Sequence, residues 1–465
     1  MHSEPPAASP TRSARDAAVD WLLGRINYER VAVLPYNERQ LKLDRMRQLL
    51  TRLGSPDAGL RIIHVAGTKG KGSTAAMIAA VLSASGRRTG VYSSPHLKRI
   101  EERFTIDGRP ISADELVGLV QRLRPAVEAI GAEPGNEAMD AEPATEAMGV
   151  EPANGAMHAE PGEAGGQPTF FDITTAMALL YFADRGCDAV VLEVGLGGRL
   201  DSTNVCLPVV SVITSISLDH TRQLGGTLGA IAGEKAGIIK PGVPVVSGVR
   251  SAEPRGVIAR TARERGCRLI EPPAGYAAGY QLGLLGGHQA ANAAVALAVI
   301  DELRGQGWAI SDRARRDGLA AARLPARVER FPAVPGARPA VVVDSAHNDA
   351  SAAALAAAVE PLALLASRTL IAAVSRDKDL PAIARALAPA FGRVIATRFV
   401  ENPRAVPPAS LAEVFREAGA GRVATADDPA SAWRLANEQT PRDGLVVIAG
   451  SFFIAAELRP VVAGG

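Results

Sequence analysis

Short β-branched apolar runs alternate along this chain with alanine-rich stretches whose apolar residues recur at helical spacing. An early series comprises Leu60, Ile62, Ile63 and Val65, then VVLEVG around Glu193, VVSVITSI from Val209 and VPVVSG from Val243. A later series comprises AVVVD ending at Asp344, TLIAAVS ending at Ser375, RVIATR around Thr397 and LVVIAGS ending at Ser451. Runs this short and this continuously apolar suit strands covered on both faces, and their alternation with helices predicts parallel sheets. The prolines of LPARVERFPAVPGARP lie between the two series and mark a connector, which divides the chain at residues 1–324 and 325–465. The expected fold is α/β: an N-terminal P-loop-type domain with a mostly parallel sheet, followed by a smaller C-terminal Rossmann-like α/β domain. At 465 residues and 47% hydrophobic content, the chain has enough apolar surface for two cores.

One segment breaks the pattern. Between Ala132 and Gln167 a nine-residue unit repeats four times, AEPGNEAMD, AEPATEAMG, VEPANGAMH and AEPGEAGGQ. Alanine, glycine, proline and glutamate bury too little surface to offset the entropy of ordering, so the expectation for 132–167 is a disordered surface insertion. Neither His158 nor the methionines inside it need a ligand role.

Charge and cysteine content narrow the partners. The net charge is only +2 with both signs interspersed, which gives no polyanion-binding face and argues against nucleic acid. Cys187, Cys206 and Cys267 are scattered, odd in number and without metal-ligand spacing, as suits reduced thiols. The opening residues lack an apolar signal core and no later apolar run is long enough for a membrane helix. A soluble cytoplasmic monomer acting on small molecules is expected.

Candidate chemistry starts at HVAGTKGKGST, His64 to Thr74, where a strand runs into a glycine-rich turn that opens an amphipathic helix marked by Met77, Ile78, Val81 and Leu82. Gly67, Gly70 and Gly72 let backbone N–H groups, including those of Thr68 and Lys69, approach phosphate oxygens without Cβ obstruction, and the helix start favours negative charge. Lys71 adds a cation and Ser73 a hydroxyl suited to magnesium. The common P-loop spacing is not met, because Val65 stands where the first glycine belongs and Gly72 separates Lys71 from Ser73. Three further motifs end predicted strands, where open α/β sheets collect ligands. They are LEVGLGGRLDSTN, with Glu193 and Asp201; TSISLDHTRQLGGTLGAIAGEKAGIIKPG, with Asp219, His220, Glu234 and Lys235; and VVVDSAHND, with Asp344, His347 and Asn348. A magnesium ion held mainly by phosphate and water needs only one or two protein ligands, and Ser73, Glu193 and His220 would suffice.

Taken in order, INYER from Ile26, GTKGKGS, VYSSPHL from Val91, ERF from Glu102, TFFDITT from Thr169, LEVGLGGRLDSTN, SISLDHTRQLGGTL, EKAGIIKPG, LLGGHQAANAA from Leu284, LPARVE from Leu324 and DSAHND resemble the folylpolyglutamate synthase and dihydrofolate synthase family, a branch of the Mur-type ATP-dependent amide ligases. The resemblance spans nearly the whole chain; Lys69, Asp172 and Ser345 stand where relatives often have Asn, Glu and Gly, and the repeat falls in a loop short in relatives. It implies phosphorylation of a pteroyl carboxylate (dihydropteroate or a reduced folate) by ATP, then attack by the amine of L-glutamate. It also implies that Lys71 and the loop amides hold phosphates, Ser73 and Glu193 one Mg2+, and His220 a second. Lys235 matches a lysine open to carbamylation. Asn292 and Arg327 fall to ATP, Asp344 to its nucleoside end, and His347 and Ser451 toward glutamate. Ser94, Pro95 and His96 match the loop that meets the pteridine-bearing substrate. Two rivals share parts of this pattern: a cell-wall ligase acting on a UDP-sugar peptide, and an NTPase switch with a C-terminal interaction module. VYSSPHL and LEVGLGGRLD favour folate, and the intact Lys71, Ser73, Glu193, His220 and Lys235 speak against a dead relative.

Overall fold

The computed structural model describes residues 13–27, 43–131 and 166–464. Among these, fourteen strands form two sheets. The first holds β1 (Ile62–Ala66), β2 (Thr89–Tyr92), β3 (Phe104–Ile106), β4 (Arg109–Pro110), β5 (Ala189–Glu193), β6 (Val210–Ile213), β7 (Val245–Ser247) and β8 (Leu269–Ile270), in the spatial order β4-β3-β2-β5-β1-β6-β7-β8. Strands from β2 to β8 in that order run parallel, while β3 and β4 form an antiparallel edge. The second holds β9 (Glu329–Phe331), β10 (Ala340–Val343), β11 (Arg368–Ala372), β12 (Arg393–Ala396), β13 (Val423–Thr425) and β14 (Leu445–Ala449), in the order β13-β12-β11-β14-β10-β9, with only β9 antiparallel.

Burial explains the apolar runs. Every residue of β1 and β5 is buried, and alternate side chains serve opposite faces. Ile62, Val190 and Leu192 pack under the helices Ala113–Gly131 and Phe170–Asp184, whereas Ile63, Val65 and Val191 pack under Lys71–Ala84 and Gln289–Gly305. The second sheet divides likewise, Val342, Leu370 and Val447 on one face and Val341, Val343, Ile371 and Ile448 on the other. Leu60, counted with the first strand from sequence, precedes it.

The repeat lies outside the described residues except for its last two. There the expectation needs amending: Gly166 is buried, and Gln167 accepts a hydrogen bond from Arg25 at 3.3 Å. A Cβ built on Gly131 would come within 3.2 Å of the Gln167 side chain, so the two ends of the insertion are neighbours. Tyr28, Glu29 and Arg30 of INYER also fall outside. No described helix is long and apolar enough to cross a membrane.

In the first sheet β1 leads to β2 on one side, and the chain returns through β5 before crossing to β6 on the other. The order reverses at the carboxyl ends of β5, β1 and β6, and a crevice opens there.

Candidate active site

The turn after β1 occupies that crevice. Gly67 (φ 151°) and Gly70 (φ 83°) carry the chain from Ala66 into the helix Lys71–Ala84. A Cβ on Gly67 would lie 1.9 Å from Thr214 Oγ1, and one on Gly70 would lie 2.3 Å from Asn292 Oδ1, so both positions require glycine for conformation and for space. The first half of the loop is braced against the segment following β6. Thr68 N–H donates to the Ser215 carbonyl (2.8 Å), Lys69 N–H to Ser215 Oγ (3.0 Å), and Thr214 Oγ1 to the Lys69 carbonyl (2.7 Å). The Thr68 and Lys69 amides are thereby spent within the protein, which corrects the expectation that the loop amides act as one set. The first bond of the helix runs from Thr74 N–H to the Gly70 carbonyl at 2.9 Å, so the amides just before it point out of the helix end, where anions are favoured. Lys71 Nζ folds back to the Gly67 carbonyl at 3.2 Å.

Glu193, the last residue of β5, stands over this turn: a Cβ on Gly72 would be 3.5 Å from its Oε2. Burial pushes its carboxyl up, while Lys71, Arg327 and the Ser94 backbone N–H pull the other way. Ser73 is buried, and its hydroxyl accepts a long hydrogen bond from Gln289 Nε2 (3.4 Å). Gln289 Oε1 in turn accepts from Asn292 Nδ2 at 2.9 Å. A hydroxyl and one buried carboxylate beside a phosphate-facing helix end fit a magnesium ion that takes its remaining oxygens from nucleotide and water. Among the described residues, no group of three or more His, Cys, Asp or Glu is placed to cage a metal without such help.

The GLGG segment after Glu193 is fixed from below. Asp201 accepts from the N–H groups of Gly195, Leu196 and Thr203, each at 3.0 Å, and from Thr203 Oγ1. Four donors on one carboxylate require the ionised form, although burial pushes its pKa up. Thr203 Oγ1 lies 2.8 Å from Nε2 of His64, which is fully buried in β1 and held neutral by that burial, its pKa lowered to about 3. Since the Thr203 hydroxyl proton goes to Asp201, His64 donates from Nε2.

Lys71, Lys235, Asp219 and His220 line one pocket with Gly67 and Gly195. Lys235, near the end of the helix Leu228–Ala236, is 4% exposed, and its ammonium has no hydrogen-bond or ion-pair partner among the described residues. Burial, and then the neighbouring Lys71, lower its pKa to about 7. His220 (φ 49°) opens the short helix Thr221–Leu224; its Nε2 is 3.9 Å from Asp219 Oδ1, and burial lowers its pKa.

The second sheet faces this pocket through its own carboxyl edge. Arg327 donates to Ser345 Oγ and acts electrostatically on Glu193 of the first domain. His347 lies within electrostatic range of Asp219, and Lys378 within range of both His220 and His347, so both domains contribute to one cleft. His347 Nδ1 meets the Ser345 carbonyl at 2.9 Å and must therefore carry the proton; burial keeps the ring neutral, which leaves Nε2 with a bare lone pair. Asp344 is turned inward, accepting from the N–H of Val328 and of Ala346, each at 2.7 Å. Ser451 is 3% exposed and spends its hydroxyl on the Ile454 N–H (3.1 Å) as cap of the helix Phe452–Ala463. Both carry local structure, so neither presents its side chain freely to the cleft.

Ser94, Pro95 and His96 follow β2. His96 Nδ1 accepts from the buried Arg103 Nε at 2.8 Å. Glu102 gathers the N–H groups of Leu97 (2.7 Å) and Arg99 (3.0 Å), and Leu97 packs against the second domain's core.

Asp201 belongs to a motif that carries candidate chemistry, whereas Gln289, Lys378 and Asp172 have no site role that the local sequence assigns. Asp172 is a buried carboxylate that pairs with Arg45 (2.7 Å) and accepts from Ser202 Oγ (2.6 Å), tying the helix Leu43–Arg52 to the turn beneath Asp201. Gln289 and Asp201 lie within quoted motifs, and that placement was the available signal. Lys378, in a charged SRDKD stretch, offered none.

The Mur ligase glutamate ligase domain matches residues 327–452. A dihydrofolate synthase/folylpolyglutamate synthase of Bacillus subtilis is 32% identical over 472 residues, spanning 96% of this chain and 99% of its own. A Mycobacterium tuberculosis protein of the same name is 35% identical over 462 residues, covering 90% and 89%. The solved folylpolyglutamate synthase of M. tuberculosis, complexed with ADP and AMPPCP, is similar with TM-score 0.77 and 31% identity over 97% of this chain and 98% of that one. Escherichia coli FolC in complex with DHPP and ADP is similar with TM-score 0.74 and 28% identity over 99% of each.

Proposed function

The chain belongs to the folylpolyglutamate synthase/dihydrofolate synthase family of ATP-dependent ligases, and from that membership we propose that it joins L-glutamate to the carboxylate of dihydropteroate, of a reduced folate, or of both. The observation that carries the reading is the cleft itself: a phosphate-facing helix end with Lys71 beneath Glu193, opposed across the gap by Arg327, His347 and Lys378.

A carboxylate is a poor acyl donor because its oxygen leaves badly. One carboxylate oxygen attacks the γ-phosphorus of ATP, the bond to the β-phosphate oxygen breaks, and ADP departs to leave an acyl phosphate. The glutamate amine, having lost a proton, then attacks the acyl carbon, and phosphate leaves as the amide forms. Lys71, the amides opening its helix, Asn292 and Arg327 hold charge that spreads over the transferring group. Ser73 and Glu193 would hold a magnesium ion, which would supply Lewis-acid neutralisation of the phosphate oxygens, and His220 would bind a second. Neutral His347, with its bare Nε2, takes the amine proton or orients the amine. Ser94, Pro95 and His96 receive the pteridine-bearing acceptor. Residues 1–324 and 325–465 act as two domains, and the enclosed cleft keeps water from the acyl phosphate. Lys235 is largely able to shed its proton near neutrality, which suits addition to carbon dioxide and conversion of a cation into a carbamate. The reading further takes the protein as a cytoplasmic monomer.

Purified protein with ATP, magnesium and glutamate, offered dihydropteroate or tetrahydrofolate in turn, tests this. ADP release that requires both acceptor and glutamate supports ligation. Release that ignores the amine indicates a hydrolytic switch, and no release with either acceptor overturns the assignment.

A further inference from the structure

The connector that carries Arg327 is in an unfavourable backbone conformation. Ala326 (φ 51°) and Val328 (φ 48°), the residues on either side of Arg327, both lie in the left-handed region, which a β-branched residue such as Val328 rarely enters. Such a conformation persists only where its surroundings impose it, and here two carboxylates do so. Asp344 Oδ2 takes the Val328 N–H at 2.7 Å, and Glu329 Oε2 takes the Ala326 N–H at 2.9 Å. Asp344 is anchored in its own strand end by the Ala346 N–H. Glu329, at the start of edge strand β9, is held from outside: Arg459 donates Nε to Oε2 and Nη2 to Oε1, both at 2.7 Å. This two-pronged pair fixes the carboxylate in rotation as well as position. Arg459 sits on the helix Phe452–Ala463, whose own start is pinned by the Ser451 cap.

We propose that Arg459 is a positioning residue for Arg327, acting through Glu329: it locks the carboxylate that holds the connector in the left-handed turn from which Arg327 reaches the nucleotide cleft. The inference rests on the reading of Arg327 as a nucleotide-binding cation. A plain ion pair that merely stabilises the second domain predicts different behaviour, because its loss would cost the same whether or not Arg327 is present.

The test is a double-mutant cycle of Arg459→Met and Arg327→Ala, with kcat and KM for ATP measured at saturating tetrahydrofolate and glutamate, alongside thermal melting. Arg459→Met is expected to lower kcat/KM for ATP about tenfold in the native background and less than about twofold in Arg327→Ala. A similar cost in both backgrounds, or native kinetics in Arg459→Met, overturns the proposal. Should Arg459→Met not accumulate as folded protein, Arg459→Lys, which keeps the charge but loses the fork, enters the same cycle with the same criteria. Native ATP kinetics in Arg327→Ala alone would instead overturn the reading of Arg327, so the two failures are distinguishable.

Discussion

Two lysines in one pocket have opposite electrostatic situations. Lys71 lies at a helix start with its ammonium on a backbone carbonyl and Glu193 nearby, and the proposed function has it exchange that carbonyl for phosphate. Replacing it with alanine should lower turnover by roughly a hundredfold or more with either acceptor, as expected when a charge clamp on a transferring phosphoryl group is lost; activity near native would disprove the phosphate assignment. The Lys235 ammonium is buried without a hydrogen-bond or ion-pair partner among the described residues, and its pKa is about 7 in the fold against the ordinary 10.5. Between those values the unfolded chain binds the extra proton, so stability rises with pH across that window, by at most about 1.4 kcal/mol per unit. Below it both states are protonated and the full burial cost remains. Lys235→Met should therefore melt above the native protein at neutral pH in carbonate-free buffer, with the gap closing toward about pH 10. A gap independent of pH would mean that burial does not hold Lys235 near neutrality. His64 follows the same sign at lower pH: neutral in the fold down to about 3, it withdraws stability as pH falls below about 6.5, where the unfolded imidazole protonates.

Among the elements, legibility tracked burial. β1, β5, β10 and β14 sit in sheet interiors and are buried along nearly their whole length, so their apolar runs could be read directly. β4, β8, β9 and β13 are edge or near-edge strands of two or three residues with partly or fully exposed side chains, and no period of two survives in so short a stretch. The site divides in the same way. Glycines at Gly67 and Gly70 report backbone demands and were legible, whereas Gln289 reaches Ser73 from a helix more than two hundred residues away, and Arg459 reaches Glu329 from the far end of the second domain. Such pairings depend on how sheets are stacked, which local pattern does not encode. The repeat belongs to this scale as well. Because Gly131 and Gln167 are neighbours, replacing residues 132–165 with a short glycine-serine linker closes a small gap and should leave kcat within about twofold of native. A collapse of activity in a protein that still melts cooperatively would assign the repeat a role in catalysis.

At the scale of the whole molecule, the proposed function assigns acceptor binding to one domain and amine delivery to the other, and the two must be tied. The segment after Ser94, Pro95 and His96 supplies a physical link: Leu97 leaves the first domain and packs against the core of the second, in the cluster that includes Phe399 and Phe453. Glu102 holds the Leu97 and Arg99 amides, so the loop is stiff enough for a load on Leu97 to be felt at His96. Truncation to alanine removes a partly buried apolar contact, a loss of about 1 kcal/mol. Its larger expected effect lies in coupling, because an acyl phosphate formed in a cleft less firmly closed is exposed to water before the amine arrives. Leu97→Ala should then release more than one ADP per amide bond, with acceptor KM raised and ATP KM near native. Parallel assay of ADP and of glutamylated product gives the ratio. A ratio that stays at one while only the melting temperature falls would reduce Leu97 to a packing contact and place the seal of the cleft elsewhere.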